Sequence, residues 1–295
     1  MASEMMRETA DAIRSNRLGQ ADIDLATRRA RMEEMWSGLP VPEDVQRLDL
    51  RMAGVPCRWL SCPGSRADRV VLYLHGGGYA MGSLDTHYEL MARIARAARC
   101  RVLGVDYRLA PEHPFPAALE DSVAVYRALQ RGARGARIAI AGDSAGGGLA
   151  VATLLRLREL GEPAPAAAVL FSPWTDLTGS SASYRSRATL DPMIEPGAVV
   201  DMARLYHGDH PADHPLISPL FANLQGLPPL LIQVGDHEVL LDDAVELAAR
   251  AEAAGVTAQV RVFPEAFHVF QAMPQLPEAA QALSDMAGFL DANWK

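Results

Sequence analysis

From residue 101 onward the chain alternates between short apolar runs and amphipathic stretches of helical length, and that rhythm constrains the fold more than any other feature. The runs at 101–105, 137–141, 166–171, 230–234 and 259–263 are bounded by turn residues and are too short for helices. Between them lie a helix over 117–129, entered through Pro116, and helices over 145–160, 242–254 and 275–293. The third of these opens on Asp242 and Asp243, as its dipole favours. Apolar strands alternating with helices predict an α/β fold whose mostly parallel sheet is covered on both faces. Three further β-rich runs, at 45–52, 57–61 and 70–74, precede the alternation.

Two stretches stand outside this rhythm. Residues 1–45 read as polar helix with apolar anchors at Met5, Met6, Ile13, Met32, Met35 and Trp36, closed by Gly38-Leu39-Pro40-Val41-Pro42. Residues 175–222 are rich in Pro, Asp, His and Ser. The expected organisation is an N-terminal helical cap segment over 1–45 and a catalytic domain over 46–295, with 175–222 contributing a second cap segment.

Charge and cysteine content exclude several classes. Lys and Arg total 28 against 36 Asp and Glu, a net charge of −8, so the basic footprint of a nucleic-acid binder is missing. A polybasic stretch suited to stable membrane association is missing too. The three cysteines, Cys57, Cys62 and Cys100, are odd in number and thinly spread, which excludes a disulfide scaffold. The opening stretch MASEMMRETADAIRSNR carries acids and no apolar core, so a cytoplasmic location is expected.

The chemistry lies where strands end. Gly142-Asp143-Ser144-Ala145-Gly146 fits G-x-S-x-G and sits between an apolar strand and an apolar helix, the context that lifts a serine hydroxyl above a sheet edge. By itself Ser144 also reads as a helix N-cap. His75-Gly76-Gly77-Gly78 follows the run at 70–74 and reads as an oxyanion loop, because consecutive glycines let main-chain amides approach a substrate. No Lys-Ser/Thr follows, which excludes a Walker-type phosphate loop.

A serine nucleophile needs a base, and in this fold the base lies after the last strand. Only His268 of the eight histidines follows the run at 259–263. The acid belongs after the run at 230–234, where Asp236, Glu238, Asp242 and Asp243 all occur. Asp242 and Asp243 read as first-turn helix acids; Asp236 and Glu238 remain as loop candidates.

Four stretches in this order, HGGGYAMGSLDTHY (75–88), DYRLAPEHPFPAAL (106–119), GDSAGGGLA (142–150) and SPWTDL (172–177), resemble the hormone-sensitive lipase family of microbial esterases within the α/β-hydrolase superfamily. The resemblance runs from about residue 50 to the C-terminus. It implies an eight-stranded α/β-hydrolase sheet with a helical cap, and carboxylic-ester hydrolysis without a cofactor or metal. It implies Ser144 as nucleophile, His268 as base and the amides of Gly76, Gly77 and Ala145 as oxyanion donors. The family's Asp-Pro-Leu-x-Asp acid motif is matched by Glu238-Val239-Leu240-Leu241-Asp242, a departure that implies Glu238 and leaves Asp236 in competition. By analogy, two copies would pair as a homodimer along the edge at 259–263.

The expected substrate is a small-molecule ester with a short to medium acyl chain, Tyr79 beside the glycine loop being the limiting bulk. Lactones or acetylated small molecules are alternatives for the same triad; a non-catalytic receptor is the third reading, opposed by the presence of His268. Residues 107–114 read as a turn supporting the site, and the run from His207 through Asp209, His210 and Asp213 to His214 as a solvated connector rather than a zinc site.

Overall fold

The computed structural model describes residues 2–15, 23–133 and 135–294; residues 16–22 of the expected N-terminal segment lie outside the described residues. Two helices come first, α1 (Glu4–Ser15) and α2 (Leu25–Trp36). The N-terminus of α1 is capped by Ser3, whose Oγ accepts from Met6 N at 3.1 Å, and that of α2 by Asp24, which accepts from Thr27 N at 2.8 Å. The strands β1 (Gln46–Met52) and β2 (Val55–Ser61) form an antiparallel hairpin. Its two-residue turn, Ala53 and Gly54, has positive φ at both positions, matching the twist of the paired strands.

The alternating part then runs β3 (Arg66–Leu74), α3 (Tyr88–Ala97), β4 (Cys100–Val105), α4 (Ala117–Gly132), β5 (Arg137–Asp143), α5 (Ala145–Glu159) and β6 (Ala168–Phe171). After the single turn α6 (Ser183–Ser186) and the helix α7 (Pro196–His207) come β7 (Leu230–Gly235), α8 (Leu241–Ala253), β8 (Ala258–Phe263) and α9 (Pro277–Asn293). The strands form one eight-stranded sheet in the order β1-β2-β4-β3-β5-β6-β7-β8. Pairing is parallel from β4 across to β8 and antiparallel at β1, β2 and β4.

Side-chain alternation along the strands divides the core in two. Leu72, Leu74, Ile138, Ile140, Leu170 and Ile232 point into one buried cluster with Leu119 and Val123 of α4, Leu149 of α5 and Leu247 of α8. Val71, Tyr73, Ala139, Val169, Phe171 and Leu231 point to the other face, where Leu90, Met91 and Ile94 of α3 meet Leu283, Met286 and Phe289 of α9. A third cluster joins Met6 of α1 to Phe267 and Phe270 after β8 and to Leu276 and Ala279.

Two helices exceed the sequence reading. The helix α3, in a stretch where no helix was read, buries Leu90, Met91, Ile94 and Ala95, one face of a 3.6-residue repeat. The helix α7 starts on Pro196 inside 175–222, a segment expected to contribute to the cap but in which no helix was read. Among the described residues, no helix is long and apolar enough to cross a membrane.

Candidate active site

Five loops at the carboxyl ends of β3, β5, β6, β7 and β8 converge. The turn from β5 into α5 puts Ser144 at φ 52° and ψ −122°, a conformation that L-residues rarely adopt. Main-chain bonds hold it there: Ser144 N donates to Phe171 O at 2.8 Å, and Ser144 O accepts from Gly147, Gly148 and Trp174 at 3.0, 3.1 and 2.9 Å. The turn also needs glycine at 146, where a Cβ would lie 2.0 Å from Leu74 O.

His268 follows β8, and its Nδ1 lies 2.8 Å from Glu238 Oε2. A carboxylate only accepts, so Nδ1 carries the proton and Nε2 is left as the basic nitrogen. Glu238 is fully buried, and its Oε1 accepts from Ser172 Oγ at 2.8 Å and from Gly235 N at 2.6 Å. Ser172 Oγ in turn accepts from Val269 N at 3.0 Å, so one hydroxyl joins the β6 end to the loops carrying both partners. Burial works against a charged His268, but the hydrogen bond and charge of Glu238, with the charges of Asp191 and Asp143, outweigh it and hold the imidazole pKa above its ordinary value.

The competing acids face elsewhere. Asp236 Oδ1 accepts from Glu265 N at 2.6 Å, and Asp242 Oδ2 accepts from Ser183 N at 2.7 Å. Asp243 Oδ2 accepts from the amides of Thr175 and Asp176 at 2.8 Å each.

In the glycine loop the three main-chain amides have different surroundings. Gly76 N donates to Asp143 Oδ1 at 2.9 Å, so this amide is engaged inside the protein; Gly77 and Gly78 line the cavity above Ser144. At Gly77, with φ +115°, a Cβ would lie 2.3 Å from Met81 O, which excludes any side chain. Ala145 opens α5, fully buried beside the serine.

Sequence reasoning missed the carboxylate on the other side of the serine. Asp143 is the variable position of the pentapeptide, yet its Oδ1 also accepts from Tyr73 OH at 2.6 Å and its Oδ2 faces His87 Nε2 at 3.3 Å. Burial alone would raise its pKa; the charge of His87 and the hydrogen bonds from His87 and Tyr73 reverse that and lower it. His75, stacked 4.2 Å from Tyr107, is driven down to about 3 by burial and by neighbouring His87, so it stays neutral. Asp191 was also unread: it is 1% exposed, accepts from Met193 N and Ile194 N at 2.8 and 2.9 Å, and from Val239 N at 2.9 Å beside Glu238.

The cavity over Ser144 measures about 210 Å3 and is walled by Arg28, Met32 and Trp36 of α2, Met81, Trp174, Met193 to Glu195, and Val199 and Met202 of α7. Tyr79 does not supply the bulk expected of it: the ring turns beneath the loop and stacks on Tyr206 at 3.7 Å. Residues 107–114 do support the site, since Tyr107 OH donates to His75 O at 2.6 Å and Ala110 N to Tyr79 O at 2.9 Å. In the run 207–214, His210 and His214 pack on Phe115 at 5.1 and 5.4 Å, and among the described residues no cluster of His, Cys, Asp or Glu is arranged to hold a metal.

Comparison with known proteins agrees with this geometry. A family model described as an alpha/beta hydrolase fold matches residues 71–272. An acetyl-hydrolase of Streptomyces hygroscopicus is 43% identical over 263 residues, 88% of this chain and 86% of that one. An esterase of Acinetobacter venetianus is 38% identical over 275 residues, 91% and 90% of the two chains. The crystal structure of an esterase from the bacterial hormone-sensitive lipase family superposes with a TM-score of 0.95 at 47% identity, covering 100% of both chains. On these matches, the chain belongs to the hormone-sensitive lipase family of α/β-hydrolase esterases.

Proposed function

We propose that this protein hydrolyses carboxylic esters of short to medium acyl chain through an acyl-enzyme on Ser144. One observation carries the reading: Ser144, His268 and the glycine loop share a single small cavity, with His268 Nδ1 bonded to a buried Glu238. In the first step His268 Nε2 takes the hydroxyl proton as Ser144 Oγ attacks the ester carbonyl. Glu238 holds the tautomer and supports the imidazolium. The amides of Gly77, Gly78 and Ala145 receive the oxyanion, each donor worth about 3–4 kcal/mol in comparable sites. The carbon–oxygen bond to the alcohol then breaks, and the alcohol leaves with the proton from His268. Water, deprotonated by the same nitrogen, releases the acid and restores Ser144.

The chain-length preference rests on the cavity. Its volume of about 210 Å3 is below the roughly 300–1,000 Å3 of pockets for drug-sized ligands, and Trp36, Trp174, Met81 and Met202 line it. We assign α2 and α7 to the cap on the same ground. A second reading, a deacetylase of acetylated small molecules, is favoured by the cavity size and by the name of the Streptomyces relative. The buried free thiols Cys57, Cys62 and Cys100 support a cytoplasmic site of action. The edge strand β8, with Val260 and Val262 exposed, supports a homodimer.

Turnover of p-nitrophenyl esters from acetate to palmitate tests the reading. Activity is expected to be highest among the shorter esters and to disappear in Ser144→Ala, whose fold is unchanged. A Ser144→Ala protein keeping a tenth of the activity would overturn the covalent mechanism. Faster turnover of palmitate than of butyrate would overturn the chain-length assignment.

A further inference from the structure

A loop of three glycines is the least self-ordered segment a chain can offer, yet oxyanion donors act only when preorganised at hydrogen-bonding distance from where charge develops. Something outside the loop must hold it. Gly76 is fixed at both ends of its peptide groups: its N–H donates to Asp143 Oδ1 at 2.9 Å, and its C=O accepts from His75 Nδ1 at 2.8 Å. The contact is close enough that a Cβ on Gly76 would lie 2.2 Å from Asp143 Oδ2. Asp143 is itself the last residue of β5 and the neighbour of Ser144. One side chain therefore ties the loop to the nucleophile turn.

We propose that Asp143 is the positioning residue of the oxyanion loop: it pins Gly76 so that the amides of Gly77 and Gly78 meet the carbonyl oxygen at Ser144, while Tyr73 and His87 fix its carboxylate. All three partners of Asp143 supply a proton, from Tyr73 O–H at 2.6 Å, Gly76 N–H, and His87 Nε2–H at 3.3 Å. An ionised carboxylate accepts them all; the side chain is buried at 3% exposure, and these donors are what keep it ionised there. Asparagine would keep one oxygen for Tyr73 and Gly76 but turn an NH2 toward His87. The ring then has a retreat: with its proton on Nδ1 it faces Thr86 Oγ1 at 2.8 Å and Ser83 O at 3.4 Å, leaving Nε2 to accept. Alanine offers neither. Asp143→Asn is therefore the mild variant and Asp143→Ala the severe one.

The proposal rests on the ester-hydrolase reading, and its test separates positioning from general damage. Turnover is measured on p-nitrophenyl butyrate and on its thionoester, whose sulfur draws little from hydrogen-bond donors. On the oxygen ester, Asp143→Ala should lose about 10²–10³ in kcat, the scale of a lost oxyanion donor, with KM within about threefold. On the thionoester the loss should shrink to about tenfold or less, and Asp143→Asn should lie between Asp143→Ala and wild type on the oxygen ester. Equal losses on both esters, a change confined to KM, or an Asp143→Ala enzyme near wild-type kcat would each overturn the proposal. Should Asp143→Ala fail to fold by circular dichroism, Tyr73→Phe, which removes one donor to Oδ1, is read by the same criterion: a loss equal on both esters overturns it. A wild-type chain inactive on both esters would overturn the ester-hydrolase reading instead, and this proposal with it.

Discussion

The floor of the cavity comes from loops at the carboxyl ends of β3, β5, β6, β7 and β8; its roof comes from α2, the strap 193–195 and α7. The floor is built on buried charge. Asp143, Glu238 and His268 are at most 4% exposed, and each is held by hydrogen bonds to main chain or to another buried group. The roof is clasped from outside. Arg29 of α2 donates to Ala80 O at 2.7 Å and Ala110 O at 2.9 Å and pairs with Glu112 at 2.6 Å, while Glu33 accepts from Ser83 Oγ at 3.0 Å. With Glu112 more than half exposed, that ion pair is worth little beyond its geometry. A buried polar network fails steeply when one member is lost, whereas an exposed clasp fails gradually. Floor substitutions should therefore act on kcat, and roof substitutions on substrate choice.

The largest expected effect is on the floor. Glu238→Gln keeps the shape of the side chain but loses the charge and favours the wrong His268 tautomer, a change that costs on the order of 10⁴ in kcat where it has precedent. Steady-state kinetics on p-nitrophenyl butyrate measure it, and a loss below about tenfold would remove Glu238 from the role. The same contact sets the pH dependence. Only neutral His268 accepts a proton, and its pKa is raised by Glu238, so kcat/KM should climb with pH through a midpoint above the ordinary histidine value of about 6.5. In Glu238→Gln the residual activity should climb at lower pH than in wild type. A wild-type midpoint below that of Glu238→Gln would reverse the sign and refute the electrostatic account.

How much of this was legible depended on whether a residue's role is local. The turn at Gly142–Gly146, the glycines of the oxyanion loop and the alternation of strands and helices are short-range patterns, and they survive in the structure with shifts of a few residues at element ends. His268 was singled out as the candidate base by its place after the last strand. The sequence left the proposed acid between Asp236 and Glu238, because both share one loop and which of them reaches His268 depends on how that loop folds back. It folds back when Gly235 N donates to Glu238 Oε1 at 2.6 Å, a bond with no trace in residue order. Asp143, Ser172 and Asp191 were illegible for a related reason: their partners lie 67, 66 and 48 residues away along the chain. For the roof, cap segments at 1–45 and 175–222 were expected, with Met32 and Trp36 as apolar anchors, but the helix that Pro196 opens was not read.

The helix α1 packs on the floor through the turn that carries His268. Met6 is fully buried against Phe267 and Phe270, the residues on either side of the His268 turn. Met6→Ala should lower the unfolding free energy by about 2–5 kcal/mol, measured by urea denaturation, and reduce kcat through the displaced loop. A stability loss without any change in kcat would show that the floor holds its shape independently of α1. Roof effects should be smaller still. Trp36→Ala opens the α2 wall and should shift the ratio of octanoate to butyrate turnover by about tenfold toward the longer ester, kcat on butyrate staying within about threefold. A fall in kcat on both esters alike would mean that roof and floor are not separable.

The smallest expected effect belongs to a carboxylate in the floor's own loop. Asp236 follows β7 directly, two residues before Glu238, and a tighter turn would aim it at the histidine. Its Oδ1 instead accepts from Glu265 N at 2.6 Å, tying the β7 loop to the turn after β8, and its side chain remains 36% exposed at the protein surface. Asparagine retains an oxygen able to accept that same N–H, so Asp236→Asn preserves the link between the two turns and removes a solvent-accessible charge that lies 3.8 Å from His237 Nε2. Such a charge lies in high dielectric, where its influence on His268 is small. Asp236→Asn should accordingly stay within about tenfold of wild-type kcat/KM, with the pH midpoint unmoved, against the four powers of ten expected for Glu238→Gln. If instead Asp236→Asn were the crippled variant and Glu238→Gln the active one, both equally folded by circular dichroism, the buried Glu238–His268 contact would be structural only. The acid would then pass to Asp236, and burial would no longer mark which floor residues carry the chemistry.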